Sequence, residues 1–298
     1  MCRLTFAAVA ALVALSPPRG LGAQQVPGRD LYEFPLGTLA EPAALAAAAG
    51  GGLWNPATIS LSPGVRFLAS ATALNTPIEQ GVSAQLGTVA YRIHRHATVG
   101  LQVAQASVGD LIRTDTDPQS IGDEIPYHST ILSAIGSVTV ASVNLGVAVR
   151  RRSGAVDDVT GHATSVDLGG TMERPAGLPV RLALSTFLHS LSGSRERASS
   201  LGAIEGLLPV RHADVRAGIA YQDDRDAGSE TFAYGSARTG IVELRGGLAR
   251  QHAFGGTTTR LRLGLGLRYA RYLVGVAREE GTAGLGSTYQ FMLTTVFR

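Results

Sequence analysis

The stretch from Gly286 to Arg298 reads Gly-Ser-Thr-Tyr-Gln-Phe-Met-Leu-Thr-Thr-Val-Phe-Arg. Successive side chains of a β-strand point to opposite faces of the sheet. Counting back from Phe297 in steps of two therefore collects one face, which carries Thr295, Leu293, Phe291 and Tyr289. The stretch predicts a strand with one apolar, aromatic-rich face.

The same alternation recurs along most of the chain. Between 261 and 269 every odd position is Leu or Tyr, and every even position is Arg or Gly. Between 143 and 149 every odd position is Val or Leu. Such segments run for about ten residues, the length of a transmembrane strand, whereas strands of soluble proteins average about five or six. The pattern favours a barrel over a soluble β-sandwich, which stays open as an alternative.

Turn signals divide the alternating part into fourteen segments, an even number, as a closed bacterial barrel requires. The predicted strands are 64–74, 80–93, 97–108, 127–138, 142–152, 163–174, 180–189, 198–208, 213–222, 230–238, 241–251, 258–269, 272–278 and 285–297. Tight connections alternate with longer polar ones, which are predicted at 109–126, 153–162, 190–197 and 223–229. The fold class we expect is all-β, a 14-stranded antiparallel transmembrane β-barrel.

Composition narrows the classes of protein further. The chain has 298 residues, is 45% hydrophobic and 16% charged, and contains 37 glycines, which argues against disorder and against a helical bundle. Beyond the N-terminus no run reaches the roughly 18 apolar residues that a membrane helix needs. Aromatic residues make up only 6%, which is few for two interfacial girdles.

The first 23 residues have the features of a secretory signal peptide. Arg3 is followed by an apolar core and by a small-residue cleavage site that ends at Ala23. Cleavage would remove Cys2, the single cysteine, and would lower the formal charge from +3 to +1 because Arg3 and Arg19 are lost. We therefore expect a bacterial outer-membrane location and no nucleic-acid partner.

Residues 24–62 do not alternate, and we assign them to an N-terminal hatch or plug that precedes a barrel domain at 63–298. Within them, Pro42 to Ala49 predicts a short helix that ends at the glycines 50–52. Trp54, Asn55, Pro56 and Ala57 follow, and we expect them to anchor the hatch or to contact a ligand. Pro56 favours an extended Asn55, whose side chain can bond local backbone. An ordinary turn into the first strand is the alternative.

The polar face of the predicted strands carries charges of both signs. The predicted lumen charge network consists of Asp167, Arg181, Asp214, Arg216, Glu243, Arg245, Arg260, Arg262 and Arg268. The arginines of 258–269 would attract anions if the lumen were open. We favour the other interpretation, in which they pair with Asp167, Asp214 or Glu243 and stiffen the barrel interior.

Most of the chain after residue 23 carries a family resemblance, whose specific motif is Asn55-Pro56-Ala57. An Ala/Gly-rich stretch followed by Trp54 to Ala57 resembles the entry to FadL-like outer-membrane barrels, and especially their PorV/PorQ-type branch, as do 127–146 and 244–248. The strand that closes on Phe297 resembles the last strand of such barrels, which is the address for the barrel-insertion machinery, although Arg298 departs from that pattern. The resemblance implies fourteen strands, a hatch, and either diffusion of hydrophobic molecules or a carrier role in type IX secretion.

The sequence lacks the common signatures of catalysis. It contains no Gly-x-Ser-x-Gly, no His-Glu-x-x-His and no lysine, and no His has a Ser two positions away. His94 and His96 could share one face, but a wet turn is the better interpretation. The carboxylates of 223–230 lack the spacing of a calcium loop. We expect no enzyme, no cofactor and no metal site.

The function we expect is uptake or binding of hydrophobic or amphipathic small molecules by an outer-membrane barrel. The alternative is a non-conducting envelope component, similar to PorV, that docks secreted proteins. The expected partners are outer-membrane lipid, the insertion machinery, and a hydrophobic small molecule or secreted proteins.

Overall fold

The computed structural model describes residues 28–32, 34–47, 51–77, 81–109, 125–157, 159–193, 196–224, 228–253, 255–281 and 286–298. These residues form a closed antiparallel barrel in which each strand pairs with its neighbour in sequence and β14 pairs with β1. The prediction of fourteen antiparallel strands is confirmed. The predicted signal peptide at 1–23 lies outside the described residues.

The strands are long, and every predicted strand is present. They are β1 Phe67–Asn75, β2 Val82–His94, β3 Ala97–Val108, β4 Tyr127–Val140, β5 Val143–Val156, β6 Val159–Glu173, β7 Val180–Ser192, β8 Ser199–Val210, β9 Ala213–Asp224, β10 Gly228–Thr239, β11 Val242–Ala253, β12 Gly256–Tyr269, β13 Tyr272–Glu279 and β14 Thr288–Phe297. Short 3-10 helices lie at Asp30–Tyr32, Pro56–Ile59 and Pro175–Gly177. In the described part of the chain, no helix combines the length and the apolar character needed to cross a membrane.

The two ends of the barrel differ in their connections. At one end, here called the short-turn end, pairs of strands join through two-residue turns such as 141–142 and 270–271, where Ala141 and Ala270 have positive φ. The other end, the long-loop end, includes the connection 109–126. One predicted long loop is wrong, because only 157–158 separate β5 from β6. Val156 pairs with Val159, so the ladder of backbone hydrogen bonds continues through most of 153–162.

The closed sheet overturns the β-sandwich alternative. Its outer face is apolar, and many exposed side chains on it are Leu or Val, as at the odd positions of 261–267. The inner face carries buried polar and charged side chains, among them Arg150, Arg152 and Asp167, which have no exposed surface. This distribution is the reverse of that in a soluble barrel.

Residues 28–62, here called the N-terminal segment, contact the inner face over most of the length of the barrel. At the short-turn end the hydroxyls of Ser60 and Ser137 lie 2.9 Å apart. At the long-loop end Arg29 forms an ion pair with Asp224, the last residue of β9. Between these points the segment buries Leu31, Leu36, Leu45, Leu53 and Trp54 against apolar residues of the wall.

The predicted helix at Pro42–Ala49 is wrong in the part that the structure describes. Residues 43–45 form a turn, in which Leu45 and Ala46 donate to the carbonyl of Pro42, and 46–47 are irregular. Residues 48–50 lie outside the described residues. A helix this short is unfavourable to nucleate, and side chains of the wall take up its polar groups instead. Arg181 donates to the carbonyl of Leu45 at 3.1 Å.

Candidate functional site

Arg150 connects the N-terminal segment to the barrel wall. Its guanidinium pairs with the carboxylate of Asp167 and donates to the Ser133 hydroxyl at 2.7 Å. Its Nη2 donates to two carbonyls of the segment, those of Gly52 at 2.5 Å and Leu53 at 2.9 Å. One buried cation therefore holds two adjacent peptide groups of the segment against β5.

Asp167 is held by a distortion of the sheet. The register between β6 and β7 shifts between Val166 and Leu168, and Leu188 adopts a positive φ of 65°. The backbone N–H of Leu188 thereby turns toward Asp167 and donates to its Oδ1 at 2.8 Å. Bulges of this kind re-aim a strand without breaking the sheet. The carboxylate that neutralises Arg150 is thus itself positioned by backbone.

The Trp54–Ala57 stretch packs against glycines of the barrel wall. Asn55 is fully buried and extended (φ −143, ψ 107), as expected for a residue that precedes proline. Its side chain accepts from the N–H of Ala57 at 3.0 Å and donates to the carbonyls of Ala44 at 2.9 Å and Gly170 at 3.4 Å. The Asn55 amide therefore joins two parts of the segment to β6.

Gly146 and Gly169 provide the space for this turn. A Cβ at Gly146 would lie 2.3 Å from the backbone nitrogen of Ala57, and a Cβ at Gly169 would lie 2.0 Å from Oδ1 of Asn55. Neither glycine has a positive φ, so the constraint is space rather than backbone strain. The segment approaches the wall at backbone distance here.

Trp54 lies at the centre of an aromatic group. Its indole N–H donates to the carbonyl of Leu36 at 2.9 Å. Its ring meets Tyr32 edge-on, with centroids 5.6 Å apart, and it meets Phe187 of β7 at 6.2 Å. Tyr32 in turn stacks on Phe187 at 5.0 Å. Burial raises the pKa of the Tyr32 phenol above its usual range.

The predicted lumen charges fall into separate clusters. Arg181 and Arg216 flank Glu205 at 3.6 and 3.7 Å, and Arg245 lies between Glu243 at 3.2 Å and Glu41 of the N-terminal segment at 2.9 Å. Asp167 belongs to the Arg150 cluster already described. The remaining residues of the predicted set pair elsewhere or stand apart.

Arg260 and Arg262 share two carboxylates that the sequence analysis did not single out. Both pair with Glu230 and Glu279, at 2.7 to 3.0 Å. Asp214 lies at the mouth of the short-turn end, where it pairs with Arg238 and is more than half exposed. Within the described residues, Arg268 has no ion-pair partner.

Sequence reasoning missed Arg29, Arg150, Arg152, Glu205 and Glu230. Arg150 and Arg152 share a face with Asn144 and Gly146, so the alternation of β5 contains the signal that they point inward. In contrast, Arg29 lies in a segment without periodicity, and no pattern could have indicated its pairing with Asp224. Glu196, which pairs with Arg152, lies likewise in a connection between strands.

Comparison with known proteins gives a limited result. No family model and no curated protein matches the chain. The similar solved structures include two mutants of the Rh. blastica porin, with 10% and 9% sequence identity, a TM-score of 0.45 in each case, and coverage of 78% of this chain and 100% of that chain. A third, described as "Asymmetric conductivity of engineered proteins", has 10% identity and a TM-score of 0.43, and covers 78% of this chain and 99% of that chain.

At TM-scores this low, the likeness carries no argument, and the barrel assignment rests on the strand pairing described above. No family model and no curated protein tests the resemblance of the sequence to FadL-like barrels, which stays a prediction.

The two candidate metal ligands lie near each other. His94 and His96 have ring centroids 5.9 Å apart at the β2–β3 turn. Across the described ranges, no group of three or more His, Cys, Asp or Glu side chains is arranged to hold a metal ion.

Because the pair of Arg150 and Asp167 is buried, two Asp→Asn substitutions should lower the free energy of unfolding by very different amounts. Asp167→Asn should lower the free energy of unfolding by about 3–5 kcal/mol, because it leaves Arg150 buried without a countercharge. Asp214→Asn removes the same carboxylate from an exposed pair and should cost less than about 1 kcal/mol. Urea titrations followed by tryptophan fluorescence would measure both, and equal costs would contradict a structural role for the buried pair.

The close approach of the segment to Gly146 and Gly169 predicts that alanine substitutions at these two glycines destabilise the protein. Gly146→Ala and Gly169→Ala should each cost about 1–3 kcal/mol, since the added methyl overlaps the turn at Asn55 and Ala57. The matched control is Gly136→Ala, because no atom lies within 4 Å of a Cβ at Gly136. Unfolding in urea should separate the two groups, and a destabilised Gly136 variant would show that any strand glycine behaves in this way.

Tyr32 predicts a specific alkaline response. In the described part of the chain its buried hydroxyl has no hydrogen-bond partner. Its pKa is raised in the folded state, so its contribution to stability is complete below the ordinary tyrosine pKa near 10 and is lost as pH rises above that value. Tyr32→Phe should preserve or raise stability at neutral pH and reduce the loss at high pH. Unfolding at neutral and alkaline pH, with Tyr91→Phe as the exposed control, measures this.

Proposed function

We propose that the protein is a bacterial outer-membrane β-barrel that takes up or binds hydrophobic or amphipathic small molecules, and that the N-terminal segment is the hatch that fills its lumen. The observation that carries the proposal is the apolar cluster inside the barrel. Leu31, Tyr32 and Trp54 of the segment occupy a surface of the wall that an apolar solute could occupy if the segment moved.

Membrane residence is supported by the distribution of side chains. A closed barrel satisfies every backbone hydrogen bond within itself, as lipid requires. Its exposed outer face is largely apolar, while buried charges such as Arg150, Asp167 and Arg262 point into the lumen, where they are paired. Outward aromatic side chains lie toward strand ends, as expected at a membrane interface. These include Tyr91, Tyr221, Tyr269, Tyr272, Tyr289 and Phe297.

The composition of the lumen supports an amphipathic ligand. On the wall, the surface under the segment is formed by Phe187, Leu188, Leu201 and Phe232, which are buried. Arg262 lies over the ring of Phe232, with its guanidinium carbon 4.9 Å from the ring centroid. Binding pockets for small molecules combine such apolar walls with a few polar groups that fix orientation.

The second candidate is a non-conducting envelope component that docks secreted proteins. It is favoured by the burial of the Arg150–Asp167 pair, because a hatch that moves must expose or rearrange this cluster. In that case the segment would be a permanent part of the barrel and the lumen would stay closed. The resemblance to FadL-like and PorV-like barrels is compatible with either candidate.

Trp54, the single tryptophan, reports on movement of the segment through its fluorescence. Glu41→Gln combined with Arg29→Gln removes the ion pairs of the segment with Arg245, Asp224 and Glu196 and leaves Arg245 paired with Glu243. We expect each lost pair to have stabilised the closed state by about 1 kcal/mol, so that each loss multiplies the open population about fivefold. Quenching of Trp54 by acrylamide and the frequency of conducting events in planar bilayers should both increase. Dodecanoate should change the emission of Trp54 in the wild type.

The control is Arg238→Gln, which breaks an ion pair at the barrel mouth that does not involve the segment. Each sample must first be recovered from membranes and must show a folded gel band that shifts on boiling. If the folded double variant is as silent as the wild type and dodecanoate leaves Trp54 unaffected, uptake is overturned and docking remains. Recovery in the soluble fraction would overturn both candidates.

A further inference from the structure

The outer wall contains a groove on the strands that close the barrel. It has a volume of about 850 Å³, within the range of roughly 300–1,000 Å³ that is typical of ligand sites. Its floor consists of Ala69, Ala71 and Gly87 on β1 and β2, and larger side chains such as Leu293 and Leu101 line its sides. Arg151 of β5, which is exposed, lines the end of the groove that lies away from β14. In register, Ala71 lies between Leu293 and Gly87, so small residues adjoin across neighbouring strands.

Three exposed arginines lie at the short-turn end of the same strands. The N–H of Arg66 donates to the carbonyl of Phe297 at 2.8 Å, and Arg298 follows Phe297 directly. The guanidinium carbon of Arg271 lies 5.4 Å from the ring centroid of Phe297 and 5.1 Å from that of Tyr272. Among the described residues, no carboxylate forms an ion pair with any of the three. Arg271 and the rings of Tyr272 and Phe297 form a cationic, aromatic rim.

The groove and the rim are continuous. Thr295 lines the groove and pairs in register with both Ala69 of β1 and Tyr272 of β13. It is one outward-facing position, or about 7 Å along the strand, from Phe297. Its hydroxyl has no hydrogen-bond partner in the described part of the chain. An apolar channel, a polar step and a cationic rim therefore follow one another toward the short-turn end.

We infer that this sector binds one anionic phospholipid, with an acyl chain in the groove and its phosphate at Arg271. Guanidinium groups bind phosphate oxygens in bidentate fashion and keep their charge at any physiological pH. Aromatic rings such as Phe297 and Tyr272 settle at the headgroup level of a bilayer. From the groove floor through Thr295 to Arg271, the order of features along the wall matches the order from acyl chain to headgroup in a phospholipid.

Charge argues against a second copy of the chain as the occupant. A two-fold interface places the same surface of each protomer against the other. The arginine rim would then face its own copy, with like charges close together. An anionic lipid removes that repulsion. The inference rests on membrane residence and not on passage through the lumen, so silence in conductance measurements leaves it intact.

The test uses the full barrel in detergent with an equimolar mixture of phosphatidylglycerol and phosphatidylcholine, and native mass spectrometry to count retained lipids. Wild type should retain phosphatidylglycerol in preference. Arg271→Gln should lower that preference about fivefold, the effect expected for one arginine near an anionic headgroup. Arg211→Gln, in the turn between β8 and β9, is the matched charge control and should have no effect.

The groove is tested separately. Gly87→Leu should lower retention of phosphatidylglycerol, because its side chain fills the floor without backbone strain, a Cβ at Gly87 lying 3.5 Å from the nearest atom. Gly136→Leu places the same side chain on an outward glycine of β4 outside the groove and should change nothing. Ala71→Leu fills the same groove, and it replaces Gly87→Leu in the test if the Gly87 variant shows no folded gel band.

Three results would overturn the proposal. In the first, wild type shows no preference between the two lipids. In the second, Arg211→Gln reduces the preference as much as Arg271→Gln, which would indicate a diffuse charge effect. In the third, folded Gly87→Leu and Ala71→Leu bind as wild type while glycerol phosphate displaces the lipid, which would identify a site for free phosphate instead.

Discussion

The rest of the structure depends on one buried cation, the guanidinium of Arg150. A charge without solvent contact needs both a countercharge and acceptors for its remaining N–H groups. Asp167 supplies the first, and Ser133 and the carbonyls of Gly52 and Leu53 supply the second. The pair links three strands and the N-terminal segment, so none of them can shift alone without leaving a buried polar group unsatisfied.

This constraint explains the irregular part of the barrel wall. Asp167 can stay charged beside Arg150 because the bulge at Leu188 aims a backbone N–H at it. The bulge interrupts the regular pairing between β6 and β7. The N–H of Leu188, which no longer pairs across the strands, donates to Asp167 instead. The buried pair of Arg150 and Asp167 must keep its charges balanced and hydrogen-bonded. This requirement accounts for the shifted strand register, the positive φ of Leu188 and the path of the N-terminal segment.

Arginines of the lumen and of the outer face differ in their surroundings. Toward the long-loop end, Arg29, Arg152 and Arg262 point into the lumen and are paired with carboxylates. At the short-turn end, Arg271 lies on the exterior beside the rings of Tyr272 and Phe297 and has no ion-pair partner among the described residues. The ion pair of Arg29 with Asp224 holds the N-terminal segment to the wall, whereas Arg271 remains available to an anionic headgroup.

The sequence by itself determined the barrel, because the period of two along each strand follows from local backbone geometry. It therefore indicated fourteen strands, the side of each strand that faces outward, and the inward direction of charges such as Asp167 and Arg245. Asn55 was also recognisable, since Pro56 restricts its backbone whatever the surroundings.

Only the tertiary structure decided which charges meet, because partners such as Arg150 and Gly52 are far apart in sequence and are joined by strand register. It also decided that 43–45 form a turn. A short alanine-rich stretch has little helical stability of its own, and hydrogen bonds to the barrel wall prevail over it. The groove and its arginine rim likewise exist only because closure brings β14 beside β1, which no local pattern in the sequence expresses.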